Sequence, residues 1–149
     1  DVYSMNYLSS NMPTLAEFTQ VIADYLRQEK ADLVITHNLG TLHDRHYFTY
    51  RGVHEAVKRL RQEGQDIDLL YGENLEDLIG FTPTLYVKMG EEDVAAWFDA
   101  LQQYDLFQGA VNVVPYDDYY RTMGRVRALE AGTPGFVKAF MHAGLVEYD

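Results

Sequence analysis

The sequence predicts a single α/β domain over residues 1–149, with a mainly parallel sheet flanked by helices. Two observations predict this fold class. Stretches with helical apolar spacing alternate along the chain with short β-branched runs, and these runs are continuously apolar, as in strands buried on both faces. The length of 149 residues fits one compact domain, and 47% hydrophobic residues are enough for a core.

The first predicted element is a helix from Thr14 to Lys30. Thr14 and Glu17 have capping-box spacing directly after Pro13, which marks the start of the helix. Apolar residues then recur at intervals of three and four and form one stripe along the helix, which predicts packing on a sheet. The stripe consists of Leu15, Phe18, Val21, Ile22, Tyr25 and Leu26.

Helices and strands alternate over the rest of the chain. Buried strands are predicted at Asp32–Thr36 and Ile67–Tyr71, and Thr84–Met89 alternates as an edge strand does. The remaining predicted elements are helices at Arg45–Glu63, Glu91–Tyr104, Tyr116–Glu130 and Phe136–His142, and a last strand at Leu145–Tyr148. Gly64 is a typical residue to end the second helix, and Pro115 a typical one to begin the Tyr116 helix.

The acidic charge narrows the classes of partner. The formal net charge is −11, and an acidic surface repels nucleic acid and anionic lipid, so we expect neither as a partner. The sequence has no cysteine, which excludes disulfides and thiolate metal sites, so any metal must be held by His, Asp or Glu. No apolar run reaches the roughly 18 residues that a membrane span needs. We expect a cytoplasmic location.

A histidine-rich loop follows the strand predicted at Asp32–Thr36. His37, His43, Asp44 and His46 lie within ten residues, and His43 and His46 are three apart at a loop-to-helix junction, so both rings can face one cavity. Ligands in α/β sheets bind beyond the carboxyl ends of the strands, where this loop is expected. Two imidazoles and a carboxylate suit a catalytic zinc ion.

Other interpretations of these histidines remain open. His37 can serve as a strand-end residue that hydrogen-bonds the loop, and His54 and His142 fit structural or solvated roles. His43 and Asp44 could also form the metal-binding dyad of a phosphohydrolase. Proteins with that dyad resemble all-helical bundles, so the strand before the loop argues against this alternative.

Several segments in order resemble the PIG-L/LmbE-like zinc N-deacetylases. Ala31–Asn38, followed by Gly40 and then His43–His46, resembles the family's second motif, a strand ending in T-H, a Gly-containing loop and H-P-D-H. The resemblance implies a Rossmann-like domain. Weaker similarities follow at Ala56-Val57, at Tyr104–Gln108 and at Arg127–Phe140.

The resemblance implies roles for three residues of the loop. His46 corresponds to a zinc ligand, and His43 to the residue that stabilises the oxyanion or acts as an acid. Asp44 stands one position from the family's acid, whose place is taken by Arg45, and is predicted to be catalytic together with His43. If the acid is instead lost from its usual role, another carboxylate is needed beside the metal histidine. The implied reaction is hydrolysis of the N-acetyl group of an amino sugar or a similar small amide.

The family's first motif, A-H-P-D-D, does not occur in the sequence. That motif supplies the other metal ligands and the general base. The chain begins at Asp1 and not at Met, so we expect a fragment whose missing N-terminal segment, or a second subunit of a homo-oligomer, completes the site and covers the sheet edge. The alternative is a degenerate member that acts as a non-catalytic binding or assembly module.

Overall fold

A computed structural model describes residues 3–8, 10–109 and 113–144. These residues form four helices and four strands. The helices are α1 (Leu15–Glu29), α2 (Asp44–Gln62), α3 (Glu91–Leu101) and α4 (Tyr116–Glu130). The strands are β1 (Leu33–Thr36), β2 (Asp68–Gly72), β3 (Leu85–Met89) and β4 (Phe136–His142). The strand predicted at Leu145–Tyr148 lies outside the described residues.

The four strands form one mixed sheet in the order β1-β2-β4-β3. β1 and β2 run parallel, with Leu33 opposite Asp68, whereas β4 is antiparallel to both of its neighbours. The predicted α/β fold is therefore confirmed. The sheet is not mainly parallel, however, because one of the three pairings among the described strands is parallel and two are antiparallel.

The segment Phe136–His142 was predicted to be a helix, and that prediction is wrong. The segment is β4, the strand between β2 and β3. Its side chains alternate between the two faces of the sheet. Phe136 contacts Gly124 of α4, and Lys138 Nζ lies 4.3 Å from the ring centre of Trp97 in α3, whereas Val137 between them is buried. Pairing on both sides outweighs the weak local helical preference of a seven-residue segment.

Most helix ends follow the predicted signals. The Thr14 amide donates to Glu17 Oε2 at 2.8 Å and the Glu17 amide donates to Thr14 Oγ1 at 3.3 Å, which is the reciprocal capping box. Gly64 follows α2 with φ of 88°, a left-handed conformation that favours glycine. Pro115 is the N-cap residue of α4.

The principal core lies between the sheet and the helix pair α1 and α2. Its buried members are Ala23 of α1, Val53, Ala56, Val57 and Leu60 of α2, Ile67 just before β2, and Leu69 and Tyr71 of β2.

Strand β1, at one edge of the sheet, was predicted to be buried on both faces, and this is wrong because the described residues cover only one of its faces. Val34 packs against the core, whereas Leu33 and Ile35 point to the opposite face and are 48% and 53% exposed. The expectation that a second subunit or a further segment covers this edge stays a prediction.

None of the helices in the described ranges combines the length and the apolar character needed to cross a bilayer. The cytoplasmic location stays a prediction, as does the exclusion of nucleic acid and anionic lipid as partners, which rests on the acidic composition.

Candidate metal centre

The histidine loop lies beside a second polar loop, at the edge of the sheet formed by the carboxyl ends of β1 and β2. His37 directly follows β1, and the segment Glu73–Asp77 directly follows β2. Because β1 and β2 are parallel, their carboxyl ends meet at the same edge, where the two loops come together. His46 reaches this edge from the first turn of α2.

Asp77 joins two of the histidines. Its side chain is completely buried, and its two carboxylate oxygens lie 2.7 Å from His37 Nδ1 and 2.9 Å from His46 Nδ1. The two imidazole rings are stacked, with ring centres 4.0 Å apart and planes 13° from parallel. With no metal bound, the carboxylate accepts a hydrogen bond from each Nδ1 atom; for Nδ1 to ligate a metal instead, the ring carries its proton on Nε2.

A set of amide and hydroxyl groups holds Asp77 in place. Asn74 Nδ2 donates to Asp77 Oδ2 at 3.3 Å, and the hydroxyl of Tyr120 in α4 donates to Asn74 Oδ1. Asn38, itself almost fully buried, donates to the backbone oxygens of Asp77 at 2.9 Å and Ile79 at 3.1 Å. The two loops are therefore bonded to each other as well as to the sheet.

The electrostatic state of Asp77 follows from two opposing effects. Burial raises the pKa of the carboxyl group, but the hydrogen bonds from Thr41, His37 and His46 lower it by more in total. The net pKa lies below the ordinary value of 3.8, so the group is ionised near neutral pH. A buried carboxylate beside two imidazoles is an arrangement that attracts a divalent cation.

A cleft of about 520 Å³ opens onto the cluster and is lined in part by His37, His43 and His46. His43 is the N-cap residue of α2; its Nδ1 accepts the Arg45 amide hydrogen at 3.3 Å, and its ring stacks on His46 with centres 4.5 Å apart. Glu76 also lines the cleft, with Oε2 3.8 Å from His46 Nδ1.

The residues present fit a zinc ion of the hydrolytic type. One donor atom each of His37, His46 and Asp77 lies within 4.8 Å of the other two, and these are the only described residues that form such a group. Catalytic zinc sites combine three such protein ligands with one open position. The cleft provides the open side from which a substrate can approach.

The structure brings together most, but not all, of the predicted site residues. His46, the predicted metal ligand, is in the cluster, and His43, a predicted catalytic residue, lines the cleft. Asp44, the other predicted catalytic residue, is exposed at the start of α2 and does not line the cleft. His54 bonds the Tyr71 hydroxyl and His142 bonds Thr84, away from the cluster.

Sequence reasoning missed the carboxylates of the cluster, Asp77 and Glu76. They lie in the segment E-N-L-E-D, which follows β2 as directly as the histidine loop follows β1. The rule that ligands bind at the carboxyl ends of parallel strands applies to both strands, and applied to β2 it would have indicated this segment.

Comparison of the chain with protein-family models, with curated proteins and with solved structures finds no significant match. The PIG-L/LmbE-like resemblance rests on the motifs quoted above and stays a prediction.

Proposed function

We propose that this chain is a zinc-dependent hydrolase that cleaves the amide of a small N-acetylated substrate, with His37, His46 and Asp77 as the metal ligands. The observation that carries the proposal is the convergence of two imidazoles, which line an open cleft, on one fully buried carboxylate. All three donors belong to this chain, so the ligand set requires no residue from a second subunit.

Two further side chains in the cleft fit roles in amide hydrolysis. A bound zinc ion supplies Lewis-acid polarisation of the substrate carbonyl. Glu76 presents a carboxylate that can accept the proton of the attacking water at Oε2. Because His43 Nδ1 accepts the Arg45 amide hydrogen, its neutral ring carries the proton on Nε2, from which it can donate to the oxyanion or to the leaving nitrogen.

The walls of the cleft favour a sugar-like substrate. Phe107, Tyr116 and Tyr120 line it opposite the histidines, and aromatic rings with polar edges suit the apolar faces and hydroxyl groups of a sugar ring. None of the described lining residues is Lys or Arg, whereas Glu76 is acidic. The negative charge of the cleft suits the release of a cationic amine product more than the binding of an anionic substrate.

The narrower assignment to the PIG-L/LmbE-like N-deacetylases, with a Rossmann-like sheet, is part of this proposal. It is supported by the order parallel strand, histidine loop and helix in β1, His37–His46 and α2. The family's first motif remains absent from the sequence, and Asp77 takes the place of a carboxylate ligand in our proposal.

Zinc content of the purified chain, measured by elemental analysis, tests the proposal. We expect about one zinc per chain in the wild type, and almost none in His46→Ala, because a site with two remaining ligands binds zinc poorly. His43→Ala is the matched control from the same cleft: it should keep its zinc and lose most of the acetate release from N-acetylglucosamine. A His46→Ala variant with as much zinc as the wild type would contradict the proposal.

A second candidate function is a non-catalytic binding or assembly module. The observation that favours it is that both oxygens of Asp77 already accept hydrogen bonds from imidazoles, so the loops are held by internal contacts. This candidate predicts a wild-type chain without stoichiometric zinc and without acetate release. The phosphohydrolase alternative loses support, because Asp44 of the His43-Asp44 dyad does not line the cleft.

A further inference from the structure

A second cavity, of about 430 Å³, lies on the other side of the histidine loop. Asn38 lines this cavity, while its neighbour His37 lines the cleft of the metal centre, and the two spaces share no lining residue. The volume lies within the range of about 300–1,000 Å³ that is usual for small-molecule sites. Neither the proposed hydrolase nor the binding-module alternative uses this cavity.

The cavity has aromatic walls and a fixed rim. The rings of Tyr50 and Tyr71 pack with centres 5.6 Å apart, and His54 packs on Tyr50 at 5.5 Å. At the rim the Ile79 amide donates to Gly40 O at 3.0 Å, and a Cβ at Gly40 would overlap the Ile79 carbonyl, so only glycine allows the two loops to approach this closely.

The polar groups of the cavity are neutral. Tyr71 Oη and His54 Nδ1 are 2.9 Å apart. Burial raises the pKa of Tyr71 and is the largest cause of the lowered pKa of His54, so both are uncharged near neutral pH. The chain has 35 Lys, Arg, Asp and Glu residues (12 and 23), yet none of them is among the described residues that line this cavity.

Asn38 and His54, which line this cavity, each have one hydrogen-bonding atom that their described hydrogen bonds do not use. Asn38 is 2% exposed, and both of its described hydrogen bonds are donated by Nδ2, so Oδ1 is left to accept. His54 uses Nδ1 toward Tyr71, so Nε2 is left for a ligand. An acceptor and an imidazole nitrogen between aromatic walls match a planar group that donates and accepts, such as a primary amide on a ring.

We propose that this cavity is a second binding site, for a small uncharged aromatic amide, separate from the metal centre. The ring of the ligand lies between the packed pair Tyr50 and Tyr71 on one side and the apolar rim residue Ile79 on the other. Its amide pairs with Asn38 Oδ1 and His54 Nε2. A charged analogue of the same shape binds more weakly because no lining side chain neutralises its charge.

Benzamide is the probe for this site, and benzoate is its charged counterpart of nearly the same shape. Titration of the full chain, followed by ¹H–¹⁵N and aromatic NMR signals, should show benzamide shifting the signals of His54 and Tyr71. Benzoate should bind at least about tenfold more weakly, because its carboxylate loses its hydration in the cavity and no cationic side chain there compensates for the loss. Equal binding of the two probes, or no shift at these residues, would overturn the proposal.

Three variants locate the site and separate it from the proposed hydrolase. His54→Phe keeps a ring but removes the hydrogen bond, and should weaken benzamide binding about fivefold or more. Ile79→Trp fills the rim from a position that is 60% exposed, so the fold tolerates it and binding should be lost. His46→Ala should bind benzamide as the wild type does, whatever its zinc content. Loss of binding in His46→Ala would place the probe in the metal cleft and contradict the proposal.

Discussion

At the scale of single residues, Asp77 determines the geometry of the candidate metal centre. Among the described residues, it is the only group that forms hydrogen bonds with both His37 and His46. Because its carboxylate is buried, water does not compete for these hydrogen bonds. An ionised carboxylate in this position stabilises a bound cation. The role of Asp77 can be measured apart from that of the histidines.

We expect Asp77→Asn to lower the zinc affinity by at least about tenfold, since an amide of the same shape carries no charge and ligates zinc poorly. Competition with a chromogenic chelator measures the affinity. Asp44→Asn is the matched control, because Asp44 is exposed and outside the cleft, and its affinity should equal that of the wild type. Equal loss in both variants would assign the effect to net charge and not to ligation.

His54 makes a separate prediction about pH. Burial is the largest cause of its lowered pKa; Lys58 and Arg51 lower the pKa further, and Glu55 opposes them. In the unfolded chain His54 has the ordinary pKa of 6.5, so as the pH falls it binds a proton before His54 of the folded chain does. The free energy of unfolding therefore decreases as the pH falls below about 6.5.

We expect the free energy of unfolding of the wild type to decrease more than that of His54→Gln between about pH 7 and about pH 5. Urea titrations at each pH measure it. The other histidines are common to both proteins, so their contributions cancel in the difference. If the free energies of unfolding of the two proteins change with pH in parallel over this range, burial of His54 does not affect its protonation.

At the scale of elements, the packing of α1 on α2 depends on one glycine. Gly52 lies in the middle of α2, and a Cβ at this position would overlap the ring of Phe18 in α1. The Phe18 ring is also held by Phe48, with centres 5.1 Å apart, so it has little room to move. The close approach of the helices therefore requires a residue without a side chain.

We expect Gly52→Ala to destabilise the chain, because overpacking costs about 1–3 kcal/mol and outweighs the roughly 1 kcal/mol that alanine gains over glycine in a helix. Chemical denaturation measures the change. Glu55→Ala, an exposed position of the same helix, is the control and should change stability by less than about 0.5 kcal/mol. A stabilised Gly52→Ala protein would mean that the two helices separate without cost.

At the scale of the whole molecule, a buried ion pair joins α4 to the end of β2. Arg127 Nε donates to Glu73 Oε1 at 2.8 Å, a second guanidinium nitrogen contacts the same oxygen, and the Glu73 side chain is 4% exposed. Arg127 also binds Glu130 at 2.6 Å. Glu73 begins the loop that carries Asp77, so this pair connects the helical layer to the edge of the sheet that bears the site.

We expect Arg127→Met to destabilise the protein by about 3–5 kcal/mol, because it leaves a buried carboxylate without a partner. Thermal or chemical unfolding measures the loss. The double variant Glu73→Gln with Arg127→Met should recover most of it, since neither charge of the pair remains, and the exposed Arg125→Met should be neutral. A double variant as unstable as Arg127→Met alone would contradict this explanation.

Local signals in the sequence predicted most of the secondary structure. The capping box at Thr14, the apolar run at Leu33–Thr36 and the Pro115 boundary placed α1, β1 and the start of α4 within a residue or two. The helix predicted at Phe136–His142 failed because its identity as a strand depends on neighbours that are far away in the sequence.

The histidine loop and its position after a strand were determined by the sequence alone, because hydrogen-bond caps and the period of the apolar residues are local properties. The partner of the histidines was decided only by the tertiary structure. Asp77 lies 31 residues after His46 and 40 after His37. Only the parallel pairing of β1 with β2 brings its loop to the same edge, and only the packing around that edge buries the carboxylate between the two rings.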